Sequence, residues 1–437
     1  MLQSSQMPGF STFSLPKRII FGGHSISELP AELRRLKARR TLLVTDRYFS
    51  STDTFLQIVA SLKDAEIESF VCNDVQPDPT LENVESGLQL LHSIQAEVVV
   101  AIGGGSSLDC AKAICCLARN PAPLSNYVGY HKIPNPGLPL IVVPTTAGTG
   151  SEATKVAVIT DTGNNVKMMI LDDHLLPTVA IVDYELTFTM PASLTAAVGV
   201  DTLTHAIEAY VSKRASALTD PIALSCAHLV SKYLRRAWSD PQDREAREGM
   251  SAAACQGGMA FSNSSVCLVH GMSRPIGAVF HVPHGLSNAV LLPPVTRFSI
   301  PGATKRYAQL ARSMDLAGDK DCDEVAAKKL VEGLEDLNQD LNIPRLGALK
   351  EITPERFADN VAKMAQDALD SGSPANNPIV PNIAVQDRRL LSTDHLAHNL
   401  LWRGVTNTRV CGLFCRGEAP DRTRPTQKTL KVNSLKE

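Results

Sequence analysis

The chain has 437 residues, with 43 lysines and arginines against 45 aspartates and glutamates, for a formal net charge of -2. That length exceeds one typical domain and calls for two packed units. The near-neutral balance offers none of the basic surplus that a nucleic-acid or acidic-membrane partner favours, and no apolar run approaches the roughly 20 residues that span a bilayer.

The start, MLQSSQMPGFSTFSLPKR, lacks the apolar core of a secretory signal. A cytoplasmic location is expected; because the segment is free of acidic residues and contains serines, a mitochondrial transit segment is the alternative. Ten cysteines are spread unevenly, with Cys110, Cys115 and Cys116 together and Cys411 and Cys415 near the end. None forms the paired CxxC blocks of a structural zinc site, so reduced, mostly buried thiols are expected.

RTLLVTD (Arg40–Asp46), AEVVVAIGGGS (Ala96–Ser106) and LPLIVVPTTAGTGS (Leu138–Ser151) are apolar runs that empty into polar or glycine-rich turns. Strands buried on both faces read as continuous apolar runs. Helical stretches such as SSLDCAKAICCLAR lie between them, so the first 190 residues read as an α/β domain with a mostly parallel sheet. Past Met190 long helical patterns dominate, from VDTLTHAIEAYVSKRA through EVAAKKLVEGLEDLNQDL. An all-α second domain is expected over residues 191–385, followed by a divergent tail, 386–437, whose polar, proline-containing end reads as partly disordered.

In IGGGSSLDCAKAI a strand passes into a helix through Gly103, Gly104 and Gly105, with Ser106 and Ser107 opening the helix. Close backbone approach, free N–H groups and the positive helix end suit a pyrophosphate; a plain tight turn is the alternative. PTTAGTGSEAT is a second such turn, whose Thr145, Thr146 and Thr149 can bond a ribose or phosphate, or only their own backbone. Both turns fall where open α/β sheets bind ligands. Asp46 can hydrogen-bond a ribose 2′-hydroxyl and repel a 2′-phosphate, favouring NAD over NADP; equally, it can cap a helix.

Asp201 and His205, four apart in VDTLTHAIEAY, share one face of a helix. They can offer a metal one oxygen and one nitrogen, or simply pair as a helix cap. In LVHGMSRPIGAVFHVPHGLSNA, His270 and His284 are separated by Gly271, Pro275, Gly277 and Pro283. Because interior proline costs about 3 kcal/mol, a bent, non-helical segment is expected to bring both imidazoles to the earlier pair. One aspartate and three histidines suit a borderline divalent ion, Fe²⁺ or Zn²⁺, rather than oxygen-seeking Ca²⁺ or Mg²⁺. His281 is an extra imidazole near the metal or the substrate.

At these residues the chain resembles the iron-containing (group III) alcohol dehydrogenases, kin to glycerol dehydrogenase and dehydroquinate synthase. The resemblance runs from about Phe13 to Pro381 on GGGSSLDCAK, PTTAGTGSE, VDTLTHAIEAY and HGM…PHGLSNA, in that order. It implies the dehydroquinate synthase-like fold, a dinucleotide-binding α/β domain followed by a helical metal-binding domain, and a homo-oligomer, dimer or larger. By motif match, Asp201, His205, His270 and His284 would hold the metal, Fe²⁺ first and Zn²⁺ second. Asp46, Gly104, Gly105, Ser106, Thr145, Thr146, Thr149 and Lys167 would line NAD. The implied activity is NAD-dependent oxidation of a small alcohol or reduction of an aldehyde, with the metal as Lewis acid.

Two departures stand out. Where many relatives carry a further histidine four residues after the third ligand, this chain has Arg274, which cannot shuttle a proton near neutral pH. It can clamp an anionic group on the substrate or form an interdomain salt bridge, and His281 becomes a candidate proton donor. The second departure is the tail. Rival readings are a hydroxyacid–oxoacid transhydrogenase of the same family, a lyase akin to dehydroquinate synthase, and a metal-free scaffold protein.

Overall fold

The structure is a computed structural model, and it describes residues 10–164 and 166–381; the tail 386–437 lies outside the described residues. The strands are β1 (Arg18–Phe21), β2 (Arg40–Val44), β3 (Glu68–Cys72), β4 (Val98–Gly103), β5 (Gly129–Tyr130), β6 (Leu140–Pro144), β7 (Val156–Asp161), β8 (Val166–Leu171) and β9 (Val179–Val182). Among them run helices α1 (Leu29–Arg35), α2 (Arg47–Ser50), α3 (Asp53–Asp64), α4 (Leu81–Ile94) and α5 (Gly105–Leu117). After β9 come α6 (Ala192–Val211), α7 (Asp220–Ser239), α8 (Arg244–Ser264), α9 (Leu268–Phe280), α10 (His284–Ser299), α11 (Thr304–Ser313), α12 (Asp323–Asp340) and α13 (Pro354–Asp370).

Six strands form one sheet in the order β1-β9-β6-β4-β2-β3, every pairing parallel. The apolar runs explain why. Along β4, Val99 and Ala101 join one core while Val98, Val100 and Ile102 join the other. Alternate side chains thus leave on opposite faces, and both faces are covered. Each buried Val or Ile contributes about 1.5–3 kcal/mol. A smaller sheet, β5-β8-β7, pairs β7 with β8 antiparallel; the sequence reading did not foresee it.

The helices beyond Pro191 share a third core, which includes Val200, Leu203 and Ile207 of α6, Ala227 and Leu234 of α7, and Leu291 of α10. The expectation of a non-helical stretch after His270 is corrected here: α9 runs through Gly271, Pro275 and Gly277, with Pro275 inside the helix. Proline removes one intrahelical donor, but Ile276 and Phe280 are buried on this helix and α9 packs on α10 and α13. Tertiary burial overrides propensity. The break comes later, at His281, which caps α9 with φ 57°, and α10 then begins at His284.

Candidate active site

Helix α6 brings Asp201 and His205 to one face, α9 supplies His270 in its first turn, and His284 opens α10. Gly285 allows the close approach of α10 to α6: a Cβ there would stand 2.8 Å from the Ala197 carbonyl oxygen. As a result, donor atoms of Asp201, His270 and His284 all lie within 4.8 Å of one another. Asp201 Oδ1 is 3.6 Å from His270 Nε2 and 3.9 Å from His284 Nε2. Tetrahedral ligands with bonds of about 2.1 Å sit about 3.4 Å apart, so the triangle is only slightly wide for a divalent ion. His205 stands beside it, its Nε2 3.9 Å from the same Asp201 oxygen, and its ring stacks on His270 with centroids 4.7 Å apart.

The electrostatics match the chemistry of such a donor set. Burial alone would raise Asp201, yet the imidazoles of His205, His284 and His270 outweigh it and hold the carboxyl well below the usual range. Burial pushes His205 down to about 3, against the pull of Asp201. His284 is lowered to about 4: desolvation by the surrounding protein comes first, although 43% of its side chain is exposed, and His270, Arg274 and Lys167 add like charge. Both rings are therefore neutral near pH 7, with lone pairs to share. His270 moves the other way, up to about 9, because Glu208 and Asp201 outweigh its burial. These residues fit a divalent cation in type and spacing, and a bound cation would displace the Nε2 proton of His270.

Two residues here escaped the sequence reading. Glu208, buried on α6, accepts hydrogen bonds from His270 Nδ1 and from the backbone N–H groups of Cys267 and Val269. Its spacing, seven after Asp201 and three after His205, places it on the same helical stripe and was the available signal. Asn288, one turn after His284, donates from its amide Nδ2 to Asp201 Oδ1 at 2.6 Å, and the same atom lies 3.1 Å from His284 Nε2 and 3.2 Å from His270 Nε2. All three donor atoms thus face one point. The Asn288 Oδ1 is buried with no hydrogen-bond partner, a polar atom left for something else to satisfy.

The glycine-rich turn lies across the topological switch of the sheet. Sequence order runs outward from β2 to β3 and then back past β2 to β4, so the crevice opens between the carboxyl ends of β2 and β4. Asp46 follows β2 and Gly104 follows β4. Gly104 caps α5 without any side-chain hydrogen bond, leaving the first N–H groups of that helix, from Gly105 and Ser106 onward, directed at the crevice. One Asp46 oxygen caps α2 through the Phe49 N–H at 2.8 Å; the other faces Gly103, 3.7 Å from where a Cβ would stand. The capping role is present, and one oxygen still points to the turn.

The second turn closes on the first. A Cβ at Gly104 would stand 3.5 Å from Thr146 Cγ2, and one at Gly105 only 2.9 Å from Thr149 Cγ2. Thr145 continues the ladder, its N–H donating to Gly103 O at 2.9 Å. Behind the turn, fully buried Lys112 donates to Ser151 O, Ser151 Oγ, Thr154 Oγ1 and Val156 O at 2.8–3.0 Å. The same turn touches the helical half: Thr202 Oγ1, adjacent to Asp201, donates to Gly148 O at 3.1 Å. Lys167, on β8, pairs with Asp78 at 2.7 Å.

Arg274 donates to Ser373 Oγ at 2.9 Å. Burial lowers its proton affinity while Glu208 and Tyr130 oppose the shift; among the described residues no carboxylate lies within 4 Å of it, so the salt-bridge alternative finds no partner. His281 is exposed at the end of α9, and among the described residues no hydrogen bond or ion pair joins it to the histidine cluster.

Residues 16–184 match the family model described as iron-containing alcohol dehydrogenase, and residues 195–385 match its C-terminal counterpart. The chain belongs to the iron-containing alcohol dehydrogenase family. It is 35% identical over 373 residues to the NAD-dependent methanol dehydrogenase of Bacillus methanolicus, covering 85% of this chain and 97% of the relative. A solved 1,3-propanediol oxidoreductase superposes with TM-score 0.83 at 35% identity, covering 86% of this chain and 97% of the other. A sulfoacetaldehyde reductase from Bifidobacterium kashiwanohense, solved in complex with NAD+, gives TM-score 0.76 at 29% identity, covering 85% and 95%. With the fold and the family in hand, this chain is an oxidoreductase of the alcohol dehydrogenase type. No described helix is long and apolar enough to cross a membrane.

Proposed function

We propose that this enzyme is a metal-dependent, NAD-linked alcohol dehydrogenase or aldehyde reductase whose small substrate bears an anionic group. The observation that carries the proposal is the convergence of Asp201, His270 and His284 from three helices within 4.8 Å, with Thr202, the residue after Asp201, bonding the Gly148 turn. In this reading residues 1–190 form the cofactor domain and 191–385 the metal domain, with Fe²⁺ or Zn²⁺ held by Asp201, His205, His270 and His284. A cation held there would supply Lewis-acid polarisation of the substrate oxygen, and NAD in the crevice would supply the hydride acceptor or donor.

The chain's own residues do the rest. Gly104, Gly105 and Ser106 present N–H groups to the pyrophosphate, Thr145, Thr146 and Thr149 bond its flank, and Lys167 lies within electrostatic reach of His284. Asp46 takes the ribose hydroxyls with the oxygen that does not cap α2, which selects NAD. The NAD named for two of the relatives supports this choice.

Arg274 supplies the substrate preference. A half-buried guanidinium with, among the described residues, only a serine hydroxyl for a partner has donors left for a carboxylate, phosphonate or sulfonate. Arg274 also acts as a like charge on His284, and a relative that reduces an aldehyde sulfonate supports the same reading. His281, exposed and unpaired among the described residues, is the candidate to pass the proton to solvent. Metal analysis combined with an NADH-oxidation screen of short aldehydes tests the proposal. Stoichiometric Fe or Zn and faster turnover of the acidic aldehydes are expected; turnover that ignores the anionic group would remove the Arg274 clause, and a metal-free active enzyme would remove the whole.

A further inference from the structure

A second function of the α6 stripe emerges from Glu208. We infer that Glu208 is a positioning residue that locks the His270 ring with Nε2 turned to the metal-binding point, and that sets the start of α9 with the same carboxylate. The inference rests on the metal reading above.

The carboxylate is 2% exposed. Its Oε2 accepts from His270 Nδ1 at 2.7 Å and from Cys267 N–H at 2.9 Å, while Oε1 accepts from Val269 N–H at 2.6 Å. A carboxylate only accepts, so the Nδ1 proton is committed to it, and Nε2 is the ring nitrogen that would give up its proton to a bound cation. That atom is the one 3.6 Å from Asp201 Oδ1. Carboxylates behind metal-bound histidines fix tautomer and ring orientation and raise ligand basicity, and their loss costs about 10–100-fold in metal affinity.

Glu208 also does what α9 cannot do for itself. The N-cap of α9, Cys267, makes no side-chain capping bond, and the first N–H groups of a helix lack intrahelical partners. A side chain from α6 satisfies two of these groups, and its negative charge lies at the positive end of the α9 dipole. The backbone that carries His270 and the ring itself are therefore registered by one group on the helix that holds Asp201.

The glutamine variant separates this role from simple packing. Glu208→Gln keeps the shape but turns one acceptor into an N–H₂ facing a donor and removes the charge. Co²⁺ affinity, measured by chelator competition on the full chain, should fall about 10–100-fold, with a shift in the visible Co²⁺ spectrum. In a His270→Ala background the same substitution should leave Co²⁺ affinity nearly unchanged, because the ring it orients is gone. An equal loss in both backgrounds, or wild-type affinity in Glu208→Gln, would overturn the inference. Should Glu208→Gln not fold, Glu208→Asp, which keeps the charge but shortens the reach, is read by the same pair of measurements. Failure of the wild-type chain to bind Co²⁺ would instead bring down the metal reading first, and this inference with it.

Discussion

Glu152, in the turn after β6, gives a quantitative test of how that turn is held. Its side chain is 2% exposed, and burial pushes its carboxyl from 4.5 up to about 7, against the opposing effect of Lys112. The folded state thus holds a proton that the unfolded chain releases. The stabilisation is complete below the unfolded value of 4.5 and is lost as pH rises through about 7. Between pH 5 and pH 8 the linkage relation puts the loss on the order of a few kcal/mol. Glu152→Gln cannot titrate, so it should escape this loss. Unfolding free energies from urea titrations at pH 5 and pH 8, for parent and variant, read the difference directly. The parent should lose on the order of a few kcal/mol more than the variant. Parallel pH dependences would show that Glu152 ionises freely in the folded state and would refute the reasoning.

Other substitutions probe the rest of the site. His270→Ala should weaken metal binding steeply, so that the chain purifies with less than stoichiometric metal, and should remove nearly all activity, as read by metal analysis and NADH oxidation; activity without metal would end the Lewis-acid account. Asp46→Gly should narrow the preference for NAD over NADP, and an unchanged ratio of kcat/KM for the two cofactors would leave Asp46 as a helix cap only. Arg274→Ala should raise KM for acidic aldehydes by about tenfold or more, in line with the roughly 1.5–3 kcal/mol of a charge-assisted hydrogen bond, while neutral aldehydes change little. Gly150→Ala should destabilise the fold by about 2–4 kcal/mol: the residue has φ 63°, and a Cβ would meet Ala254 O at 2.7 Å. An unchanged Tm would contradict that packing.

Much of this architecture is legible in the sequence because buried strands and glycine turns leave strong local marks. The runs ending at Asp46, Gly103 and Pro144 become parallel strands of one sheet, and their turns meet at its switch point. The Asp201–His205 spacing is a helical signal and α6 is a helix. Proline misled the reading of α9, since Pro275 advertises a break while the packing of Ile276 and Phe280 sustains the helix. Glu208, Asn288 and Lys112 stayed hidden for a different reason. A carboxylate, an amide or an ammonium in a helical sequence reads as a solvated surface group, and only tertiary structure shows what each one touches. The pairing of Arg274 with Ser373, 99 positions away, is likewise invisible to any local pattern.

The account stands on one cation-binding point shared by α6, α9 and α10. An anaerobic titration of the metal-stripped chain with Co²⁺, followed in the visible spectrum for the wild type and Asp201→Asn, addresses it most directly. Saturation near one ion per chain in the wild type, with binding lost or severely weakened in the variant, is the outcome predicted. Undiminished binding in Asp201→Asn, or no spectral change in the wild type, would contradict it.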